Sequence, residues 1–265
     1  MLSRRWTPWE AAKRERYARH GSLDQDRADG VPSSNCSVEI DFRRVARPDL
    51  SLHAARMWLR GSDATVLARM NHDIETATAH LHSAGVDLLV YACTGGSMIN
   101  GPGHDLALAA RISEQAGGIP TITTTTAILA GLHRLGLERL VVLAPYQPDM
   151  TEILGAFLAS PGFEVRHLAG RNHTSNREIG ADRIEDIVAF AVENDRAEAD
   201  GFFMSCTNWR AMAAAAKIEW LTGKPVVTAN QATIWLAWQK LGLDATVPGY
   251  GRLLENCNPA NSAHL

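Results

Sequence analysis

The two halves of this 265-residue chain repeat each other, at a spacing of 113 residues through the cysteine motifs and of 105–106 residues further on. An apolar run that ends in Ala92–Cys93–Thr94 in the first half is matched by a run that ends in Ser205–Cys206–Thr207 in the second. The same spacing carries Val31–Pro32–Ser33 onto Ala144–Pro145–Tyr146. Because a repeat of this kind indicates a duplicated folding unit, the chain is expected to form two similar lobes.

Each half alternates short apolar or β-branched runs with helical stretches. The predicted strands include Val86–Ala92, Leu140–Ala144 and Gly201–Ser205, and the predicted helices include Asp105–Ala116, Asp182–Glu193 and Ala211–Leu221, with Asp105 as an N-cap. This alternation is typical of parallel sheets covered by helices. The predicted fold class is therefore α/β, with two pseudo-symmetric lobes, each a parallel sheet flanked by helices, and the active site between them.

The repeat and the composition together give the expected domain boundaries. Residues 1–28 are predicted to be an N-terminal extension, because they are rich in arginine and show no strong apolar period. The first lobe is predicted to span residues 29–137, the second residues 138–254, and a C-terminal tail residues 255–265. This length gives each lobe enough chain to bury a sizeable core.

Charge and hydropathy exclude several classes of partner. The net charge is −3, so the body of the chain has no basic footprint for nucleic acid. No apolar run is long enough to span a membrane, and the first residues lack the apolar region of a signal peptide. These features predict a cytoplasmic protein that binds neither nucleic acid nor membranes. They leave open whether the protein is a homo-oligomer.

The chain has four cysteines, Cys36, Cys93, Cys206 and Cys257, and none forms a C-x-x-C pair. No suitably spaced histidine pair accompanies them, so no metal site is predicted. The thiols are expected to be free, as in a reducing compartment. Cys36 and Cys257 have no counterpart in the repeat and are interpreted as incidental.

Cys93 and Cys206 occupy equivalent ends of predicted strands, and each is followed by threonine and a turn into a helix. Ligand-facing loops of a parallel sheet lie at the carboxyl ends of its strands, so two related lobes place equivalent residues on opposite walls of one cleft. Unpaired N–H groups at a helix start stabilise a thiolate and bind carboxylates. The pair is therefore predicted to be catalytic, with a small carboxylate as substrate.

Five short motifs follow one another along the chain, namely Val31–Asn35, Cys93–Ser97, Ala144–Tyr146, Ser205–Asn208 and Gly249–Leu253. Their order is similar to that found in maleate cis-trans isomerases. Over residues 31–254 the chain therefore resembles the maleate cis-trans isomerase family, which belongs to the aspartate/glutamate racemase superfamily. Arylmalonate decarboxylases, hydantoin racemases and an ectoine-utilisation protein are relatives in that superfamily. The resemblance implies an isomerase that needs no metal or organic cofactor.

The resemblance also implies roles for individual residues. Cys93 is expected to add to an olefinic carbon of maleate, and Cys206 to handle the proton while the new single bond rotates. The predicted substrate-binding residues are Asn35, Thr94, Gly95, Tyr146, Asn176, Thr207 and Asn208. Amide and phenol donors suit carboxylates without drawing a proton from the thiols.

Two questions stay open at this stage. Asp24–Gly30 carries three acids and an arginine where the family has an apolar strand, so a poor buried strand is predicted before Asn35. The reaction also has alternatives. They are racemisation of an amino acid or hydantoin by two opposed cysteines, decarboxylation of a malonate-type acid, and binding of a carboxylate without turnover.

Overall fold

The computed structural model describes residues 25–59, 64–244 and 246–255. The strands in this part of the chain are β1 Gln25–Pro32, β2 Leu50–Met57, β3 Leu88–Tyr91, β4 Thr121–Thr123, β5 Arg139–Ala144, β6 Glu164–Gly170, β7 Gly201–Met204 and β8 Val226–Thr228. Residues 1–24 and Cys257 lie outside the described residues, so the predicted extension is seen only where it enters β1.

Helices connect the strands. They are α1 Val38–Arg44, α2 Ala64–Met70, α3 Ile74–Ser83, α4 Thr94–Met98, α5 His104–Gln115, α6 Thr124–Arg134, α7 Pro148–Ala159, α8 Asn176–Ala181, α9 Ile184–Glu193, α10 Ala211–Thr222, α11 Ala229–Leu241 and α12 Arg252–Glu255, with a 3-10 turn at Asn71–Asp73. Within the described residues, no helix has the length and apolar character needed to cross a membrane.

Two parallel sheets of four strands form the two lobes. The first has the order β2-β1-β3-β4 and the second the order β6-β5-β7-β8, so the strand order repeats as the sequence does. The central strands β3 and β7 are buried along their whole length, as expected for parallel strands that are covered on both faces. The predicted fold class, two pseudo-symmetric α/β lobes, is confirmed.

The first strand corrects the expectation of a poor strand at Asp24–Gly30. β1 begins at Gln25, inside the predicted extension, and pairs with β2 along its length and with β3 over Arg27–Gly30. Its polar sequence is tolerated because the ladder uses main-chain N–H and C=O groups, which do not depend on side-chain polarity. Val31 near its carboxyl end is fully buried, and the chain then turns toward Asn35.

Two predicted helix starts also differ from the structure. The helix expected from Asp105 begins one residue earlier, at His104, and Asp105 is no N-cap. It is buried and accepts a hydrogen bond from the Thr126 hydroxyl at 2.8 Å. The helix expected from Asp182 begins at Ile184, because the Asp182 carboxylate accepts a hydrogen bond from a tryptophan side chain instead of capping that helix.

The lobes meet through α6 and α11, the equivalent helices of the two halves. Gly131 of α6 lies so close to α12 that an added Cβ would come within 3.1 Å of the Leu253 side chain. The buried Glu219 carboxylate accepts the main-chain N–H of Arg252 at 3.0 Å. The C-terminal motif Gly249–Leu253 therefore fastens the end of the chain across the contact between the lobes.

Candidate active site

A pocket lies between the lobes at the carboxyl ends of the central strands. Its empty space is about 390 Å³, part of which is open to solvent. All nine predicted site residues line it, namely Asn35, Cys93, Thr94, Gly95, Tyr146, Asn176, Cys206, Thr207 and Asn208. The repeat thus brings its two cysteines to one pocket, although they are far apart in sequence.

Cys93 follows β3 and is the N-cap of α4. Its side chain is only 6% exposed, and its sulfur accepts a hydrogen bond from the N–H of Gly96 at 3.4 Å. Burial raises the pKa of this thiol to about 12. The N–H groups of Gly96 and Gly95 act in the opposite direction, and the neighbouring Cys206 adds to the increase.

Gly95 and Gly96 pack so closely against the first lobe that no larger residue fits at either position. A Cβ on Gly96 would collide with the Tyr91 hydroxyl, and a Cβ on Gly95 would come within 2.8 Å of the Leu67 side chain. Leu67 itself lines the pocket. The two glycines therefore let α4 start directly behind the pocket wall, which brings their N–H groups to the Cys93 sulfur.

Cys206 follows β7 and is 8% exposed. Its φ angle of +92° is unusual for a residue with a side chain and costs roughly 1–3 kcal/mol. Burial raises the pKa of this thiol to about 11. The N–H of Asn208, a hydrogen bond with the Tyr146 hydroxyl and the N–H of Trp209 oppose that increase.

The balance of these effects makes both groups thiols at neutral pH in the empty pocket. Main-chain N–H groups lower the pKa of each cysteine, at the start of α4 for Cys93 and in the turn before α10 for Cys206, but burial has the larger effect. Cys206 is the more acidic of the two, because the Tyr146 hydroxyl adds to its two N–H donors.

The two threonines that follow the cysteines differ in their hydrogen bonds. The Thr207 hydroxyl donates to the Ala92 carbonyl at 3.2 Å and accepts from the Asn35 amide at 3.0 Å. The Thr94 hydroxyl is buried beside the pocket and has no partner within the described residues. In the repeat, the position equivalent to Asn35 is Pro148, whose side chain has no donor. A buried hydroxyl without a partner costs about 1–3 kcal/mol, so Thr94 is available to a polar ligand.

Asn35 joins the two lobes beside the pocket. Its amide oxygen accepts the main-chain N–H groups of Ser37 and Val38 at 2.9 and 3.1 Å, just before and at the start of α1. Its amide nitrogen donates to Thr207 in the other lobe. Because an amide nitrogen has two hydrogens, one N–H of Asn35 is left for a ligand.

Asn208 and Asn176 also form hydrogen bonds between the lobes. The Asn208 amide accepts the main-chain N–H of Cys36 at 2.8 Å and donates to the Asn176 carbonyl at 2.6 Å. The Asn176 amide nitrogen donates to the Ser34 hydroxyl at 2.7 Å. Asn208 therefore acts on Cys206 through its main-chain N–H, and its side chain ties the lobes together.

The polar groups of the pocket are uncharged apart from the titratable thiols and phenol. Among the described residues, no arginine, lysine or histidine lines the pocket. The same part of the chain contains no group of three or more histidine, cysteine, aspartate or glutamate side chains placed to hold a metal ion. The hydrogen-bond donors that this pocket offers to a ligand are therefore neutral hydroxyl, amide and N–H groups.

Sequence reasoning missed the apolar part of the wall. Pro32, Leu59, Leu67 and Met150 line the pocket in addition to the predicted residues. Leucine and methionine in a pocket wall have the same sequence pattern as residues of a core, so no signal separated them. Cys36 is exposed and does not line the pocket, in line with its interpretation as a non-catalytic cysteine.

The family model for arylmalonate decarboxylase matches residues 31–254, nearly all of both lobes. The chain belongs to the arylmalonate decarboxylase family. Maleate isomerases are among the proteins similar to this chain. The maleate isomerase of Pseudomonas putida is 30% identical over 236 residues, which cover 84% of this chain and 94% of the relative.

Solved structures of maleate isomerases share the fold. A mutant of the Pseudomonas putida S16 enzyme with maleate is 26% identical and has a TM-score of 0.84, with 89% of this chain and 99% of that chain covered. A cysteine-to-serine mutant of the Nocardia farcinica enzyme is 27% identical, has a TM-score of 0.84 and covers 87% of this chain and 98% of its own. That structure contains a covalently bound succinylcysteine intermediate.

Proposed function

We propose that this protein is a maleate cis-trans isomerase that works without a cofactor, through a covalent adduct on Cys93. The observation that carries the proposal is a pair of cysteines in different surroundings in one pocket whose other polar groups are neutral donors. The relatives support it, since one maleate isomerase of this fold has been solved with maleate and another with a succinylcysteine.

Neutral donors bind the two carboxylates of maleate. The Thr94 hydroxyl, the spare N–H of Asn35 and the amide of Asn176 provide hydrogen bonds from both lobes. Binding satisfies the Thr94 hydroxyl, which folding alone leaves without a partner. A cation in their place would lower the pKa of both thiols together, whereas neutral donors preserve the difference between them.

The surroundings of the two thiols assign their roles. Cys93 is followed by Gly95 and Gly96, and because these residues have no Cβ, the substrate can approach the Cys93 sulfur closely and bond to it. The more acidic Cys206 carries the proton. The reactive form is the small fraction of the protein in which the pair has lost one proton to solvent, from Cys206. As the Cys93 sulfur bonds to one olefinic carbon, its proton passes to the Cys206 thiolate, and the electron pair of the double bond moves to the neighbouring carbon. Cys206 then gives the proton to that carbon.

The resulting adduct is a succinyl group joined to Cys93 by a thioether bond. Its former double bond is now single and rotates. The Cys206 thiolate removes the proton from the carbon again, the carbon–sulfur bond breaks, and the double bond re-forms in the trans geometry. The proton returns from Cys206 to the Cys93 sulfur, so fumarate leaves and the enzyme recovers its starting state.

Conversion of maleate to fumarate by the purified protein is the first measurement, followed by proton NMR of the alkene signals. The Cys206→Ser variant is then expected to accumulate the adduct, because serine is too weak a base to start elimination. Intact-protein mass spectrometry should show the added mass of one maleate, and peptide mapping should place it on Cys93.

The matched control is Cys93→Ser, which should form no adduct. An adduct on Cys206 in that variant, with none on Cys93 in the other, would reverse the roles of the two cysteines. No adduct in either variant, together with solvent deuterium appearing in an amino acid or hydantoin substrate of the wild type, would contradict the isomerase and establish a racemase.

A further inference from the structure

Asn230 lies behind the Cys206 turn and does not line the pocket. It is near the start of α11, is 2% exposed, and donates from its amide nitrogen to the Thr207 carbonyl at 2.9 Å. The same nitrogen donates to the Asp41 carboxylate at 2.8 Å. Asp41 belongs to α1 in the first lobe and is also buried. The carbonyl that follows Cys206 is therefore held by a buried pair that spans both lobes.

The orientation of the Asn230 amide is fixed by its surroundings. Both groups that its amide nitrogen contacts are acceptors, and its own amide oxygen is buried without a partner among the described residues. Reversing the amide would place that oxygen against the Asp41 carboxylate and the Thr207 carbonyl and would lose both hydrogen bonds. The unsatisfied Asn230 amide oxygen costs about 1–3 kcal/mol. The observed orientation is nevertheless the one in which the amide nitrogen forms two hydrogen bonds.

The Cys206 turn needs such support because its backbone is strained. A non-glycine residue with a φ angle of +92° persists only where its surroundings hold it. The Ser37 hydroxyl donates to the Asn208 carbonyl at 2.7 Å, so the two carbonyls that follow Cys206 are both held. If the turn relaxed, the Cys206 sulfur would move away from the N–H groups of Asn208 and Trp209.

We infer that Asp41 and Asn230 are positioning residues for Cys206: Asp41 orients the Asn230 amide, and Asn230 holds the Thr207 carbonyl so that Cys206 keeps its strained conformation. The kinetic consequence rests on the proposed function, whereas the position of the thiol does not. Neither side chain touches the substrate pocket, so the effect on substrate binding should be small.

Kinetics of maleate isomerisation test the first part. Asn230→Ala should lower kcat by roughly 10–100-fold, since a misplacement of ~1 Å can cost about a hundredfold, while KM changes by less than about threefold. Asp41→Ala should also lower kcat, but by less than Asn230→Ala does, because Asp41 acts only through the Asn230 amide. Asp41→Asn keeps an acceptor oxygen for Asn230 and should restore most of the activity. The double variant Asp41→Ala with Asn230→Ala should be no slower than Asn230→Ala alone.

Thr233→Val is the matched control on the same helix. The Thr233 hydroxyl is buried, donates to the Ala229 carbonyl at 2.7 Å and lies 3.3 Å from the Thr124 hydroxyl. It is one turn away from Asn230 and has no hydrogen bond to the Cys206 turn among the described residues. This variant should lower thermal stability and leave kcat unchanged. A loss of kcat in Thr233→Val equal to that in Asn230→Ala would reduce the effect to general destabilisation and overturn the inference.

Alkylation by iodoacetamide with peptide mapping tests the thiol directly and does not depend on any substrate. In folded Asn230→Ala, Cys206 should react at least about threefold faster, because the relaxed turn no longer buries the sulfur, and Cys93 should react as in the wild type. Unchanged alkylation of Cys206 together with unchanged kcat would overturn the inference. If the wild type does not isomerise maleate but Cys206 reacts faster in Asn230→Ala, the positioning role stands and the proposed function fails.

Discussion

The Cys93 turn and the Cys206 turn share the dipeptide Cys-Thr but are built differently. Cys93 has an extended backbone, with a φ angle of −144°, and its helix starts at the next residue. Cys206 has a φ angle of +92° and is followed by a turn before α10. The Thr207 hydroxyl has two hydrogen bonds that link the lobes, whereas the Thr94 hydroxyl has none within the described residues.

This difference shows how a repeated motif divides two tasks. At Cys206 the hydrogen bonds of the turn are used to join the lobes and to hold a strained thiol in place. At Cys93 the equivalent hydroxyl is left free for a ligand. The neighbouring donors then give the two thiols different acidities, with a pKa of about 12 for Cys93 and about 11 for Cys206.

The largest expected effect comes from removing either sulfur. Cys93→Ala and Cys206→Ala should each lower turnover by at least about a thousandfold, because the two thiols act as one catalytic unit. Cys36→Ala should stay near the wild type, since its side chain lies outside the pocket. Steady-state kinetics of folded variants check this, and a fully inactive Cys36→Ala would mean that the repeat had pointed to the wrong cysteine.

The raised pKa values of the two thiols predict a steep pH dependence. Because burial raises the pKa of both thiols, the thiolate fraction is small at neutral pH and grows about tenfold with each pH unit below the pKa of Cys206. We expect kcat/KM to rise in the same proportion between about pH 7 and 10, since this parameter reports the free enzyme. Steady-state rates across that range measure it, and a flat profile would contradict protonated thiols in the empty pocket.

A smaller effect separates the two threonines. Thr94→Val should raise KM by about tenfold and leave stability unchanged or higher, because it removes a buried hydroxyl that has no partner in the described part of the chain. Thr207→Val should lower the free energy of unfolding by about 1–3 kcal/mol, since the Asn35 amide loses its acceptor.

Substrate kinetics and urea denaturation distinguish the two threonine variants. Equal destabilisation by both substitutions would show that the Thr94 hydroxyl has a structural partner after all. It would remove the contrast between the two turns on which the carboxylate-binding role of Thr94 is based.

The repeat allowed much of the site to be predicted. Strand ends of two equivalent lobes must meet at a common cleft, so Cys93 and Cys206 were predictable as neighbours from spacing alone, and the family motifs added Asn35 and Tyr146. The strand Gln25–Pro32 was not predictable from its polar residues, because the register that holds it is set by main-chain bonds to β2 and β3.

Other features depend on contacts that a linear pattern does not encode. The sequence Ser205–Thr207 does not predict the positive φ angle at Cys206, because it contains no glycine. The pair of Asp41 and Asn230 joins residues from different lobes, so neither residue has a local sequence signal. Burial of the thiols, which decides the direction of their pKa, likewise depends on the closed pocket and not on the motif.

The fusion of the two lobes into one chain permits this asymmetry. In a homodimer of a single lobe, every residue would occur twice, and both thiols would have identical surroundings and identical acidity. In one chain the two copies diverge independently, as Asn35 and its counterpart Pro148 do. Chemistry that uses one sulfur as nucleophile and the other as proton carrier gains from such divergence, because each environment can then favour one of the two states. A fused pair of lobes therefore gives evolution a way to specialise each sulfur that a symmetric dimer lacks.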